Sequence, residues 1–124
     1  LVNSIGLDLV EVARINKDLD KYGRRFAERV LSGNELVLFD RRRDRAIFLA
    51  GRFAAKEAVI KGLGHYLDDR PAFCEIEIVN NASGQPTLRL PASIEEKIGS
   101  YRCLISITHD KNYAAAVAVF LEEK

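Results

Sequence analysis

Apolar and polar positions alternate from the start of the chain. Ser-Ile-Gly-Leu-Asp-Leu-Val, 4–10, reads as a half-buried strand in which Ile5, Leu7 and Leu9 face one way and Ser4, Gly6 and Asp8 the other. The period then lengthens to that of a helix over Val10 to Leu31, with a break expected near Gly23. Ser32-Gly33-Asn34 is a turn, and Asn34 is the expected cap of a short helix from Glu35 to Asp40. Phe48 to Gly64 is the longest helical stretch: alanine, leucine and straight-chain charged residues fill it, no proline interrupts it, and Gly62 and Gly64 supply stop signals. Residues 65–72 form a loop, followed by a strand at 73–80, a turn at 81–86 and a return strand at 87–90. Pro91 opens a helix over 92–98 that Gly99 closes. Two further strands, 101–109 and 113–121, form a hairpin around Asp110-Lys111-Asn112, and the tail 122–124 is expected to fray. The order predicts an α+β fold: a small antiparallel sheet packed against a long central helix, with additional helices around it.

Several polar residues break this pattern. Asp8 sits mid-strand, where β-propensity disfavours it, and such misfits mark functional positions. Glu57 falls beside Leu49, Ala50, Phe53 and Ile60 on the apolar face of the central helix, with Lys61 one turn on. A carboxylate there must be paired or hold a cation. An ordinary Glu–Lys pair on a helix flank satisfies the same pattern. His109 ends a strand near Ser106 and Thr108. Two carboxylates suit a hard divalent cation such as Mg²⁺, completed by water and substrate phosphates, with nearby lysines and arginines for the phosphate oxygens. Neither GxxxxGK[ST] nor GxGxxG occurs, so the usual nucleotide cradles are excluded.

Composition adds bounds. The 124 residues, 48% hydrophobic and 30% charged, suit one domain spanning 1–124. A net charge of +1 gives no bulk preference for nucleic acid or membrane. Its distribution is uneven: Arg14, Lys17, Lys21 and Arg24 make a basic stripe on the first helix, with Phe26 as an apolar anchor, and Arg-Arg-Arg-Asp-Arg fills 41–45. No apolar run reaches the length of a membrane span and no export signal opens the sequence, which starts at Leu1 rather than methionine. Cys74 and Cys103 lack metal-ligand spacing and are expected to be reduced, buried small hydrophobes in a cytoplasmic protein.

Taken together, Gly-Leu-Asp-Leu-Val-Glu-Val-Ala-Arg-Ile (6–15), Phe-Ala-Ala-Lys-Glu-Ala-Val-Ile-Lys-Gly-Leu-Gly (53–64) and Ser-Ile-Thr-His-Asp-Lys-Asn-Tyr-Ala-Ala-Ala-Val-Ala-Val (106–119) resemble the signature blocks of the holo-acyl-carrier-protein synthases. These are the short 4′-phosphopantetheinyl transferases. The resemblance covers essentially the whole chain in order. It departs at Gly62, where the family commonly has alanine, and at Ser-Ile-Thr-His, where the family has a serine-rich sequence.

The resemblance implies Mg²⁺-dependent transfer of phosphopantetheine from coenzyme A to a serine of apo-acyl carrier protein, releasing adenosine 3′,5′-bisphosphate, in fatty acid biosynthesis. Asp8 and Glu57 match the family's metal ligands, Lys61 would steady or protonate the diphosphate, and His109 with Ser106 and Thr108 would contact the coenzyme. Arg52 and Lys56 are further phosphate candidates, although helical spacing turns them about 140° and 100° from Glu57. Gly84-Gln85-Pro86 matches the adenine-side loop. Arg14, Lys17, Lys21, Arg24 and Phe26 match the surface that docks the acidic carrier protein. A homotrimer with sites between subunits is also implied, and the small-residue strand 114–119 is compatible with it. The competing reading is a non-catalytic nucleic-acid-binding module that uses the basic helix. Against it stand the near-neutral charge and the lack of aromatics among the cations.

Overall fold

The computed structural model describes residues 1–123. Along the chain run β1 (Val2–Glu11), α1 (Val12–Tyr22), α2 (Arg24–Val30), α3 (Gly33–Arg41), α4 (Arg45–Leu63), a 3₁₀ turn (Phe73–Glu75), β2 (Glu77–Asn80), β3 (Pro86–Arg89), α5 (Ala92–Ile98), β4 (Tyr101–His109) and β5 (Tyr113–Glu122). β1, β5 and β4 make a three-stranded antiparallel sheet in that order, and β2 pairs with β3 in a separate hairpin. This is the expected α+β arrangement, with α4 laid across one face of the sheet.

One expectation is reversed. Alternation alone assigns the buried side of β1 to its apolar row, yet Ile5, Leu7 and Leu9 are 62, 66 and 65% exposed, while Gly6 and Val10 are buried. The reason is how closely α4 approaches. A Cβ on Gly6 would lie 1.7 Å from the Ala58 carbonyl oxygen, so the helix backbone rests where a side chain would stand. Ser4 Oγ donates to the Gly62 carbonyl at 2.9 Å on the same face. Only small residues fit such a crossing, and Ala54, Ala55 and Ala58 line it fully buried. On β5 the same logic buries Ala114, Ala116, Ala118 and Phe120. Gly62 has a specific partner: a Cβ there would sit 2.5 Å from the Phe120 ring, so any side chain at this position would have to displace that aromatic.

Other boundaries shift for local reasons. β1 runs through Glu11, and Gly23, at φ 63°, separates α1 from α2. α3 is capped by Ser32 rather than Asn34. The Ser32 hydroxyl accepts from Glu35 N while the Glu35 carboxylate accepts from Ser32 N, a reciprocal box. Of the expected strand 73–80, Phe73–Glu75 is a 3₁₀ turn. Glu122 belongs to β5 instead of fraying, and Lys124 lies outside the described residues. Cys103 is half-buried, and burial pushes its thiol up to about 12, whereas Cys74 is exposed, contrary to expectation. Among the described residues, no helix is long and apolar enough to cross a membrane.

Candidate active site

β1 delivers Asp8 to the flank of α4. As the next helix-facing position after Gly6, it inherits the close approach, and its side chain is 17% exposed. Lys61 reaches across to it: Nζ donates to Asp8 Oδ1 at 3.2 Å and to the Leu7 carbonyl at 2.9 Å. The lysine therefore pairs with the strand and not with Glu57. Glu57 stands one helical turn before Lys61, beside the same crossing, and its carboxylate accepts from Arg70 Nη2 at 2.5 Å. Its side chain is 19% exposed. Each largely buried carboxylate is thus matched by a cation whose side chain is more than half exposed. Among the described residues no cluster of three or more metal-ligating side chains exists, so Asp8 and Glu57 are the carboxylates the chain could offer a metal here. Two carboxylates able to exchange lysine and arginine for a harder cation suit Mg²⁺, which keeps several waters and accepts phosphate oxygens.

A second group of candidates lies elsewhere. Arg52, Gly84, Gln85, Pro86, Ser106 and His109 all line a cleft of about 1000 Å³ between α3, α4, the β2–β3 turn and the free edge of β4. Arg41 and Arg42, from the basic run at the end of α3, are on its wall as well. Gly84, at φ 84°, shapes the turn and keeps it free of a side chain. Thr108 and Ser106 face away from α4, paired with Ala115 and Val117, while His109 points to the helix side, so the three do not share one face. Thr108 does not reach the cleft lining.

The two groups are held apart by α4 itself. Arg52 and Lys61 are nine residues apart, about 180° around the helix axis. Asp8 and His109 sit on opposite edge strands, with β5 between them, about 10 Å across the sheet. One chain therefore does not bring His109 beside Asp8, Glu57 and Lys61.

Arg52 and Lys56 converge on Glu35, a residue the sequence reading did not single out. Glu35 is 1% exposed and Lys56 fully buried. Lys56 Nζ donates to Glu35 Oε1 at 2.5 Å, to the Val30 carbonyl at 2.6 Å and to the Phe73 carbonyl at 3.1 Å. With every donor engaged, Lys56 is a structural cation and not the phosphate contact the resemblance allowed. Burial pushes its ammonium down from the ordinary lysine value, and Glu35 opposes that shift. Arg52 Nε lies 3.2 Å from Glu35 Oε2, with the guanidinium 4.9 Å over the Phe48 ring, yet its Nε and Nη2 make no hydrogen bond. The readable signal for Glu35 was the serine–glutamate capping spacing.

On the first helices, Arg14, Lys17 and Lys21 are exposed. Arg24 is tied to Asp40 at 2.8 Å and to Glu28 at 3.3 Å, and Phe26 is half-buried against the core.

The comparisons with known proteins identify the architecture. A model of the 4′-phosphopantetheinyl transferase superfamily matches residues 4–118. The chain belongs to that superfamily. It is 41% identical to a holo-[acyl-carrier-protein] synthase of Protochlamydia amoebophila over 116 residues, 94% of this chain and 95% of that protein. Among solved structures it is similar to the holo-[acyl-carrier-protein] synthase of Neisseria meningitidis, with TM-score 0.88, 31% identity and 98% and 100% of the two chains covered. The Helicobacter pylori synthase in complex with coenzyme A matches with TM-score 0.83 and 33% identity, over 94% and 99%. A transferase of this superfamily accounts for a phosphate-sized set of cations around a cleft, and nothing in these likenesses supports a nucleic-acid-binding module.

Proposed function

We propose that the chain is a holo-acyl-carrier-protein synthase, which moves 4′-phosphopantetheine from coenzyme A to a serine of an apo-acyl carrier protein and releases adenosine 3′,5′-bisphosphate. The observation that carries this reading is a chain of this superfamily whose helix α4 carries Glu57 and meets Asp8 through Lys61, while the opposite side of α4 lines an arginine-rich cleft. Asp8 and Glu57 would hold Mg²⁺, which when bound offsets negative charge on the pyrophosphate. Lys61, already at Asp8, supplies an ammonium to the departing phosphate. Arg52, Gly84, Gln85, Pro86, Ser106 and His109 seat the nucleotide end of coenzyme A in the cleft, and Thr108 acts only from the neighbouring sheet surface. Arg14, Lys17 and Lys21 present positive charge to the acidic carrier, which speeds encounter more than it tightens binding. Arg24 joins them only by sharing itself with Asp40. The reaction belongs to fatty acid biosynthesis in the cytoplasm, within one domain.

Because α4 separates the carboxylates from the cleft, a working site requires a second copy, and we assign the assembly as a homotrimer with sites between neighbours. The support is the outer face of the sheet. Ile5, Leu7 and Leu9 stand exposed beside Ala115, Val117, Val119 and Leu104, a continuous apolar surface unusual for a free monomer. Leu7→Asp should dissociate the assembly without unfolding the chain, since Leu7 is 66% exposed and outside the buried core. Sedimentation should show a monomer with wild-type circular dichroism, and an unshifted trimer would refute the surface.

The function itself is tested by incubating the protein with coenzyme A, Mg²⁺ and candidate apo-carriers and weighing the carriers. A gain of one phosphopantetheine is expected, abolished by chelation and restored by added Mg²⁺. An unmodified carrier with every candidate would refute the assignment.

A further inference from the structure

The charges at the base of the cleft do not balance. Glu35 faces two cations, and Lys56 spends all its donors on Glu35 and two carbonyls. The surplus positive charge is left on Arg52, which is 7% exposed, lines the cleft and meets Glu35 only through Nε, 3.2 Å from Oε2. Glu35 also ties the walls together. Its Oε2 accepts from Ile78 N at 3.4 Å in β2, the strand that leads into the Gly84–Pro86 turn, and its Oε1 accepts from Ser32 N at the start of α3. Ser32 Oγ in turn donates to Glu77 Oε2 at 2.6 Å. Three of the elements that enclose the cleft thus meet on one buried carboxylate.

We propose that Glu35 is a positioning residue for the transfer reaction: it fixes the Arg52 guanidinium at the wall of the cleft, where its charge faces a phosphate of coenzyme A. This rests on the reading that the cleft seats the nucleotide end of coenzyme A. A buried guanidinium held by one carboxylate oxygen and stacked on Phe48 is pre-organised, so little rotamer entropy is lost when the anion arrives. The phosphate then supplies the negative charge that Glu35 alone does not provide for two cations.

Direct binding of adenosine 3′,5′-bisphosphate, followed by calorimetry without metal or carrier, separates the possibilities. Glu35→Gln alone would strand the buried Lys56 charge, so it is introduced with Lys56→Met and compared with Lys56→Met alone. The added Glu35→Gln should weaken binding about tenfold or more, the worth of one charge-assisted hydrogen bond. Added to Arg52→Ala in the same background, it should cost nothing further, because its effect runs through Arg52. In turnover, KM for coenzyme A should rise while kcat changes little. Glu35→Asp, which keeps the charge but draws the carboxylate back by one methylene, should weaken binding in the same direction and less. Unchanged binding in the Glu35 variants while Arg52→Ala weakens it would overturn the positioning role alone, as would equal losses with and without Arg52. Wild-type binding by Arg52→Ala would overturn the reading of the cleft, and the proposal with it.

Discussion

Replacing Glu57 by glutamine is expected to lower the rate of phosphopantetheine transfer by at least about 10³-fold, several kcal/mol of transition-state stabilisation of the size a Lewis-acid cation provides. Glutamine keeps the shape and one acceptor oxygen but removes the charge that draws a divalent cation. The fold should survive, since glutamine keeps the length of the side chain and an acceptor oxygen for Arg70, whose own side chain is 59% exposed. A partly exposed pair of that kind contributes little to stability. Circular dichroism and the melting temperature of Glu57→Gln should therefore match the wild type, and raising Mg²⁺ should not restore turnover. Full activity in the glutamine variant would remove Glu57 from the metal site.

The second large effect falls on the fold. Gly6→Ala is expected to destabilise the protein by about 3 kcal/mol or more, at the upper end of overpacking costs. The added Cβ would stand 1.7 Å from the Ala58 carbonyl oxygen, and backbone on both sides leaves nothing flexible to move aside. Strand and helix would have to separate, and Asp8 would leave Lys61 with them. The melting temperature should drop by roughly 10 °C or more for a chain of this size. Activity should fall even in the fraction that stays folded. A melting temperature within a degree or two of the wild type would show that the crossing is not as close as described.

How far the sequence reveals all this depends on the residue. Period and turn chemistry place every long element, because α4 and the β4–β5 hairpin have strong local preferences that agree with their tertiary setting. The direction of β1 is different. Alternation shows two faces but not which is inward, and the choice is made by Gly6, whose missing Cβ lets a helix backbone settle on the polar row. Asp8 is noticeable from the sequence because that row contains it. Once the row is known to be buried, its misfit becomes a consequence of the packing.

Glu57 stands out on the apolar face of its helix, but its partner does not. Lys61 suggests itself at four residues' distance, whereas the ion pairs formed are Lys61 with Asp8 and Glu57 with Arg70, both long-range and invisible to local spacing. Glu35 is hidden for a similar reason. Its capping role is readable from Ser32, yet nothing local shows that the same carboxylate neutralises Lys56 and braces Arg52 from another helix. Nor can spacing reveal that His109 and Asp8 sit on opposite edges of one sheet, the observation on which the proposed sharing of a site between copies rests.

That proposal gives the most direct test. Glu57→Gln and Arg52→Ala subunits, each impaired alone at low coenzyme A, are dissociated, mixed in equal amounts and reassembled. If the carboxylates of one subunit serve the cleft of its neighbour, random mixing rebuilds both halves in about one quarter of the interfaces. Activity should then rise well above the mean of the separate variants, toward a quarter of the wild type. A mixture that stays at that mean would contradict a site shared between subunits.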